Sequence, residues 1–267
     1  MSQKLFEDIQ NLFEFFDQCL NVKFFIESEK KKNELIITNK EQKQEDIRKD
    51  YKQENKVNKS IYDEIVEMHM KIGEPYMEIK EEKRKLLEDV AMRIINCKMC
   101  ELHKERKKAV PGDGSPTARV VFVGEAPGYE EDKKGKPFVG KSGNLLMSKI
   151  KDILGLDRSE VFITNIVRCR PPQNRTPEKN EIEKCSPYLL EELNIIDPQL
   201  VVALGAPAAK VLLMRDEKIT ELRGNFYKRS DYTVFVTFHP AYVLRNPGVM
   251  DIFNEDFKKI AEFLRSI

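Results

Sequence analysis

The stretch Arg119–Gly128, RVVFVGEAPG, decides the fold. Val120, Val121, Phe122 and Val123 make a short apolar, mostly β-branched run, and Gly124 breaks it off. Such a run bounded by turn residues suits a strand buried on both faces. Three runs of the same kind follow: Val161–Ile166 (VFITNI), Leu200–Leu204 (LVVAL) and Thr233–Phe238 (TVFVTF). Helical spacing fills the intervals at 142–154, 177–195 and 206–214, and a last helix is expected at 251–265. Strand alternating with helix predicts a parallel sheet with crossover helices. The strands are apolar throughout rather than alternating, as expected where helices cover both faces. The expected architecture is a three-layer α/β/α domain with a four-stranded parallel sheet.

Upstream the pattern changes. Of 13 Pro and 12 Gly in the 267 residues, only Pro75 and Gly73 precede residue 97. Leu5, Ile9, Leu12, Phe13, Phe16 and Leu20 recur at helical spacing, so an amphipathic helix is expected over about 5–26. Residues 27–60 are rich in Lys, Glu, Asn and Gln, with one apolar island at Leu35–Ile37, a composition that buries little. Two further helices are expected at 61–72 and 76–96, parted by Gly73 and Pro75. Residues 1–90 are therefore taken as a helical, partly disordered extension and 91–267 as the main domain. The net charge of +1 sums an acidic first part (1–96, net −3) and a basic remainder (97–267, net +4). No run approaches the roughly 20 apolar residues that span a bilayer. The start, MSQKLFEDIQ, carries acids and no small-residue cleavage site, so no secretory signal and an intracellular setting are expected.

The unusual residues fall at strand ends. The first strand runs into Gly124-Glu125-Ala126-Pro127-Gly128, the second carries Asn165, and the fourth ends at His239-Pro240. In open α/β sheets ligands sit outside the carboxyl ends of the strands. Glu125, Asn165 and His239 are therefore expected to converge on one crevice. The plainer account is that glycine and proline only end the strands and that His239 caps locally.

Cysteines supply a second signal. Cys97 and Cys100 form a CxxC pair before the sheet; Cys169 follows the second strand and Cys185 lies in the next helix. Without a secretion signal a disulfide framework is not expected. The set suits a four-thiolate metal centre, either Zn or [4Fe–4S], and a redox CxxC remains an alternative. Cys19 is left over.

These motifs resemble those of the family 4 uracil-DNA glycosylases. GEAPG (Gly124–Gly128), Glu131-Asp132 and GKPFVG (Gly135–Gly140) match motif A and its following loop. TNIVRCRPPQNR (Thr164–Arg175) is similar to the uracil-reading strand and cluster loop, and FHPAYVLR (Phe238–Arg245) to the second catalytic motif. The resemblance covers about residues 90–267 in order. It implies hydrolysis of the N-glycosidic bond of deoxyuridine in DNA, which releases uracil and leaves an abasic site. The target nucleotide has to leave the stack before its sugar can be reached.

On this resemblance Gly124, Ala126 and Gly128 lie against the substrate, and Phe138 stacks on the base from an exposed loop. Asn165 accepts from uracil N3–H and donates to O4, the reverse of what cytosine needs. His239 donates to O2, where charge develops as the base leaves. Asn174 positions the water, and Glu125 is a site residue of open role. In well-known relatives with a different motif A, an Asp stands at Ala126 and a methyl-excluding Tyr at Gly128, so thymine is rejected by other means or less strictly. No Schiff-base lysine is required and no lyase step is expected. The segment 168–177 lacks the histidine of a related group that is captured covalently by uracil, which favours turnover. The four cysteines fall where the family binds a [4Fe–4S] cluster, taken as structural, with Zn as the alternative.

The expected partner is uracil-containing DNA, bound through local cations. Arg170, Arg175 and Arg245 are the expected contacts, with Leu244 as a wedge into the base stack. Lys104, Arg106, Lys107, Lys108 and Arg168 add charge near the cysteines. Ile9–Phe16 loosely resembles sliding-clamp-binding peptides but lacks their initial Gln in register. A monomer is expected. The alternatives are a glycosylase of broader scope, acting on hypoxanthine or mismatched thymine, and a non-catalytic, metal-stabilised nucleic-acid-binding module.

Overall fold

The computed structural model describes residues 61–267, with side chains from Met77 onward. The expected helix over 5–26, the clamp-like segment 9–16 and Cys19 lie outside the described residues. The backbone runs as one helix, α1 (Ile61–Asn96), where two were expected. Pro75 removes one intrahelical N–H donor, but bonded turns on both sides carry the helix past it. All later elements belong to one compact unit, Leu86–Ile267, which also takes the last turns of α1.

The sheet has six strands: β1 (Asp113–Gly114), β2 (Val120–Gly124), β3 (Phe162–Asn165), β4 (Leu200–Leu204), β5 (Phe226–Lys228) and β6 (Thr233–Thr237). Their order is β1-β3-β2-β4-β6-β5. The four expected strands form the parallel centre, with Val121 opposite Phe162 and Val201, and Ala203 opposite Val236. Two short antiparallel edges, β1 on β3 and β5 on β6, extend the expected four-stranded sheet to six. They escaped the sequence because Asp113-Gly114 has no apolar signal and Phe226–Lys228 is half exposed.

Helices cover both faces. They are α2 (Tyr129–Lys134), α3 (Lys141–Lys149) with a π turn to Leu154, α4 (Lys179–Ile196), α5 (Ala206–Leu213), α6 (Ile219–Leu222), α7 (Pro240–Arg245) and α8 (Met250–Ser266). Successive strand residues point to opposite faces. Val121, Val123, Val201 and Val234 therefore join Leu189 and Leu193 of α4 and Leu212 of α5. Val120, Phe122, Val202 and Phe235 join Leu146 of α3 and Phe253 and Phe257 of α8. Phe122 and Phe257 stack at 6.1 Å between centroids. This gives the three layers. Among the described residues no helix is long and apolar enough to cross a membrane.

The chain steps from β2 outward to β3, then returns across β2 to β4 and on to β6. Its connections diverge between β2 and β4, and a crevice opens beyond the strand ends at such a point.

Candidate active site

A cavity of about 400 Å³ fills that crevice, and Glu125, Phe138, Asn165, Asn174, His239 and Arg245 line it. Ala126 and Gly128 line it as well. The convergence expected for Glu125, Asn165 and His239 is therefore present, with each residue delivered by the end of a different strand.

Asn165 closes β3 and is 2% exposed. Its side-chain oxygen has no hydrogen-bond partner. Leaving a buried acceptor unsatisfied costs about 1–3 kcal/mol, so a ligand donor at this point recovers that energy. Gly124 makes the approach feasible: a Cβ there would lie 2.4 Å from Asn165 Oδ1 and 2.6 Å from Phe138 Cζ.

Phe138 is buried at 6% exposure, so the expectation of an exposed loop is corrected. Its ring packs into the core layer and against His239, with centroids 5.7 Å apart. Its backbone has φ 52, a left-handed conformation that a bulky side chain adopts at a cost. Three residues enforce it: Glu131, Arg158 and Gly143. Glu131 Oε1 accepts from Val139 N–H at 2.9 Å and Gly140 N–H at 2.8 Å, while Oε2 accepts from Gly128 N–H at 3.1 Å. Arg158 Nη2 donates to Pro137 O at 2.8 Å. Gly143 leaves room for the Phe138 carbonyl, which a Cβ would meet at 2.0 Å.

His239 caps α7. Its Nδ1 accepts from Ala241 N–H at 3.1 Å. A neutral imidazole that accepts at Nδ1 carries its proton on Nε2. Burial, with the Arg245 charge, pushes the ring down to about 4, so it is neutral at pH 7. The cavity therefore receives a donor rather than a cation. Upstream, Thr237 Oγ1 donates to the buried Asp256 at 2.7 Å and fixes the end of β6.

Burial pushes the Glu125 carboxyl up, against the hydrogen bond from Thr176 and the Arg245 charge, which favour ionisation. Asn174 has φ 57 and accepts at Oδ1 from Arg170 Nε at 2.7 Å.

The arginines divide sharply. Arg245 lines the cavity and Leu244 is 44% exposed beside it. Arg175 also lines the cavity, but its guanidinium is forked onto Glu181 at 2.7 and 2.9 Å and lies 3.3 Å from Glu178. Arg168, grouped by sequence with the surface cations, is instead buried on Glu192 at 2.8 Å. Arg106 donates to Cys169 Sγ at 2.9 Å and to Ile95 and Cys97 carbonyls, so it too is a structural cation.

Cys97, Cys100, Cys169 and Cys185 line one small cavity between the end of α1 and α4. Arg168 N–H donates to Cys185 Sγ at 3.2 Å. Burial pushes Cys185 up to about 12 and raises Cys100 and Cys169; neighbouring thiols add to each rise. Among the described residues, no three His, Cys, Asp or Glu side chains are placed to hold a single metal ion.

Sequence reasoning passed over Glu131, Thr176 and the Arg168–Glu192 pair as working parts. Glu131 did carry a signal: three residues after Gly128, it stands where an acid reaches back to a helix's first N–H groups.

The chain belongs to the uracil DNA glycosylase superfamily, whose model matches residues 111–265, more than half of its length. Type-4 enzymes are prominent among its relatives. A type-4 uracil-DNA glycosylase of Sulfurisphaera tokodaii is 50% identical over 184 residues, 66% of this chain and 84% of that protein. That of Saccharolobus solfataricus is 46% identical over 188 residues, covering 67% and 87%. That of Thermotoga maritima is 42% identical over 187 residues, covering 68% and 97%.

Proposed function

We propose that residues 91–267, acting as a monomer, excise uracil from DNA by hydrolysing its N-glycosidic bond, without a lyase step. The unpartnered Asn165 oxygen, buried in a cavity beside Phe138 and His239, carries this conclusion. A flipped uracil offers N3–H to that oxygen and O4 to the Asn165 amide. Cytosine presents an acceptor and a donor at the same places, so both bonds are lost. Phe138 lies against the base and His239 Nε2–H donates to O2, in place before the charge develops. Gly124, Ala126 and Gly128 let the base approach the backbone. Glu125 and Asn174 face the sugar side and hold the attacking water.

Uracil-containing DNA is the partner, reached through Arg170, Arg245 and the exposed Leu244. The engagement of Arg175 by two carboxylates makes it a loop brace first and a phosphate contact second.

The four cysteines fit an iron–sulfur cluster. All four line one cavity, and the sulfurs of Cys169 and Cys185 accept hydrogen bonds from Arg106 and the Arg168 N–H, as thiolates do best. Four cysteines around one buried cavity suit a [4Fe–4S] cluster, with Zn as the alternative. Bound there, the cluster supplies structure, tying the end of α1 to the β3–α4 segment.

The test is incubation with a uracil-containing oligonucleotide followed by alkaline cleavage of abasic sites. Strand breaks are expected, and His239→Ala removes them. A panel with hypoxanthine and mismatched thymine defines the scope. DNA binding without base release in any substrate would overturn the proposal.

A further inference from the structure

We propose that Lys107, Tyr129 and Arg170 form a clamp for a DNA phosphodiester at the lip of the base cavity, an inference that rests on the glycosylase reading. Tyr129 follows Gly128, which lines the cavity, and is 49% exposed. Two cations meet its ring: Arg170 Cζ at 5.3 Å from the centroid and Lys107 Nζ at 5.5 Å. Each contact is worth about 0.5–1 kcal/mol at an exposed site, enough to orient a long side chain.

The two cations differ from the arginines around them. Arg168, Arg175 and Arg223 are each held by a carboxylate. Among the described residues neither Lys107 nor Arg170 has a carboxylate within ion-pair distance. Among the described residues the Arg170 side chain hydrogen-bonds the neutral Asn174 through Nε, with neither Nη group engaged. Lys107 is carried by a pinned backbone: Asp132 Oδ1 accepts its N–H at 2.8 Å and that of Lys108 at 3.4 Å.

Two like charges gathered on one exposed ring, without a carboxylate partner among the described residues, suit a shared external anion. A guanidinium edge and an ammonium match the oxygens of one phosphodiester. Arg170 also holds Asn174, which lines the cavity. The phosphate is therefore one adjacent to the extruded nucleotide, and Tyr129 is a positioning residue that sets the spacing of the two cations.

The test uses the full chain and fluorescence anisotropy with single-stranded oligonucleotides, with and without an abasic-site analogue, over a salt series. Lys107→Gln and Arg170→Gln should each reduce the slope of log K against log salt by about 0.7. Tyr129→Leu should weaken binding roughly fivefold or more, while Tyr129→Phe, which keeps the ring face, retains wild-type affinity. An unchanged slope in both cation variants, or equal affinity of the Leu and Phe variants, overturns the clamp. Uracil excision by the wild type, measured in parallel, separates the two levels. Excision with unaffected variant binding removes the clamp and leaves the glycosylase assignment. Loss of slope without any excision keeps the phosphate clamp and removes the glycosylase assignment.

Discussion

Arg168 and Glu192 form an ion pair at 2.8 Å with each side chain only 2% exposed. Arg168 also donates to Thr164 Oγ1 and to the Asn165 carbonyl, and its own N–H reaches Cys185 Sγ at 3.2 Å. Glu192 further accepts from Thr164 Oγ1 at 2.8 Å and Gly112 N–H at 3.0 Å. One buried arginine thus ties together β3 and α4 through its guanidinium and the cysteine cavity through its backbone N–H. Burial pushes the Glu192 carboxyl up, and the Arg168 charge opposes that. Arg168→Met strands a buried carboxylate and should cost about 3–5 kcal/mol in urea unfolding. Adding Glu192→Gln, whose oxygen still accepts from Gly112 N–H and whose amide can donate to Thr164 Oγ1, should restore part of it. A double variant no more stable than the single would show that the charge pair is not the cause.

Gly124→Ala is a sharper probe of the cavity than removal of Asn165. The added Cβ meets Asn165 Oδ1 and the Phe138 ring, and neither can retreat from a packed core. Excision should fall at least 100-fold, about 2.7 kcal/mol in transition-state binding, with KM for DNA little changed. Single-turnover kinetics decide this, and near-wild-type rates would place the base elsewhere.

Glu131→Ala frees the N–H groups of Gly128, Val139 and Gly140 together. Hydrogen bonds to a charged group contribute about 1.5–3 kcal/mol each, so the left-handed backbone at Phe138 should relax. The expected result is a drop in kcat of roughly 10- to 100-fold, of the size a misplaced group produces. Glu131→Gln should retain part of the rate, because its single carbonyl still accepts at one end.

The pH dependence separates His239 from Glu125. His239 titrates at about 4 in the folded protein against about 6.5 unfolded. The unfolded state therefore binds the extra proton between these values. Stability is full above pH 6.5 and falls as pH drops toward 4, by at most about 3 kcal/mol. His239→Gln should flatten that slope in thermal melts. Because His239 stays neutral down to about pH 4, the acid limb of the excision rate belongs to Glu125. On the water-holding role proposed for it, the raised Glu125 carboxyl has to ionise, so activity should fall as pH drops through a value raised above the ordinary carboxylate one. Glu125→Gln should lower the rate and remove the limb; an unchanged limb would shift the water to Asn174 alone.

For the cysteines, purified protein should be brown, and Cys185→Ser should be paler and melt at lower temperature. A colourless protein with stoichiometric zinc would replace the iron assignment.

Much of this was legible in the sequence, because a parallel sheet buried on both faces writes its strands as unbroken apolar runs. The site was legible for a related reason: Glu125, Asn165 and His239 interrupt those runs at their carboxyl ends. The edges were not, since Asp113-Gly114 contributes backbone pairing and no side-chain pattern. Nor was the fate of each arginine. Arg168, Arg170 and Arg175 look alike within eight residues of chain, and only three-dimensional neighbours show which charge is spent internally. Phe138 was misplaced to an exposed loop because Pro137 and Gly140 signal a turn, not whether a ring beside it points inward.

The hydrogen bond from Ala241 N–H to His239 Nδ1 has a wider consequence. The proton's address on the imidazole is written by the main chain, not by a neighbouring acid. No side-chain substitution elsewhere can rewrite it, and no partner carboxylate has to be kept in step with it during divergence. The vulnerable position is 241 itself, where proline would erase the N–H and let the ring choose either tautomer.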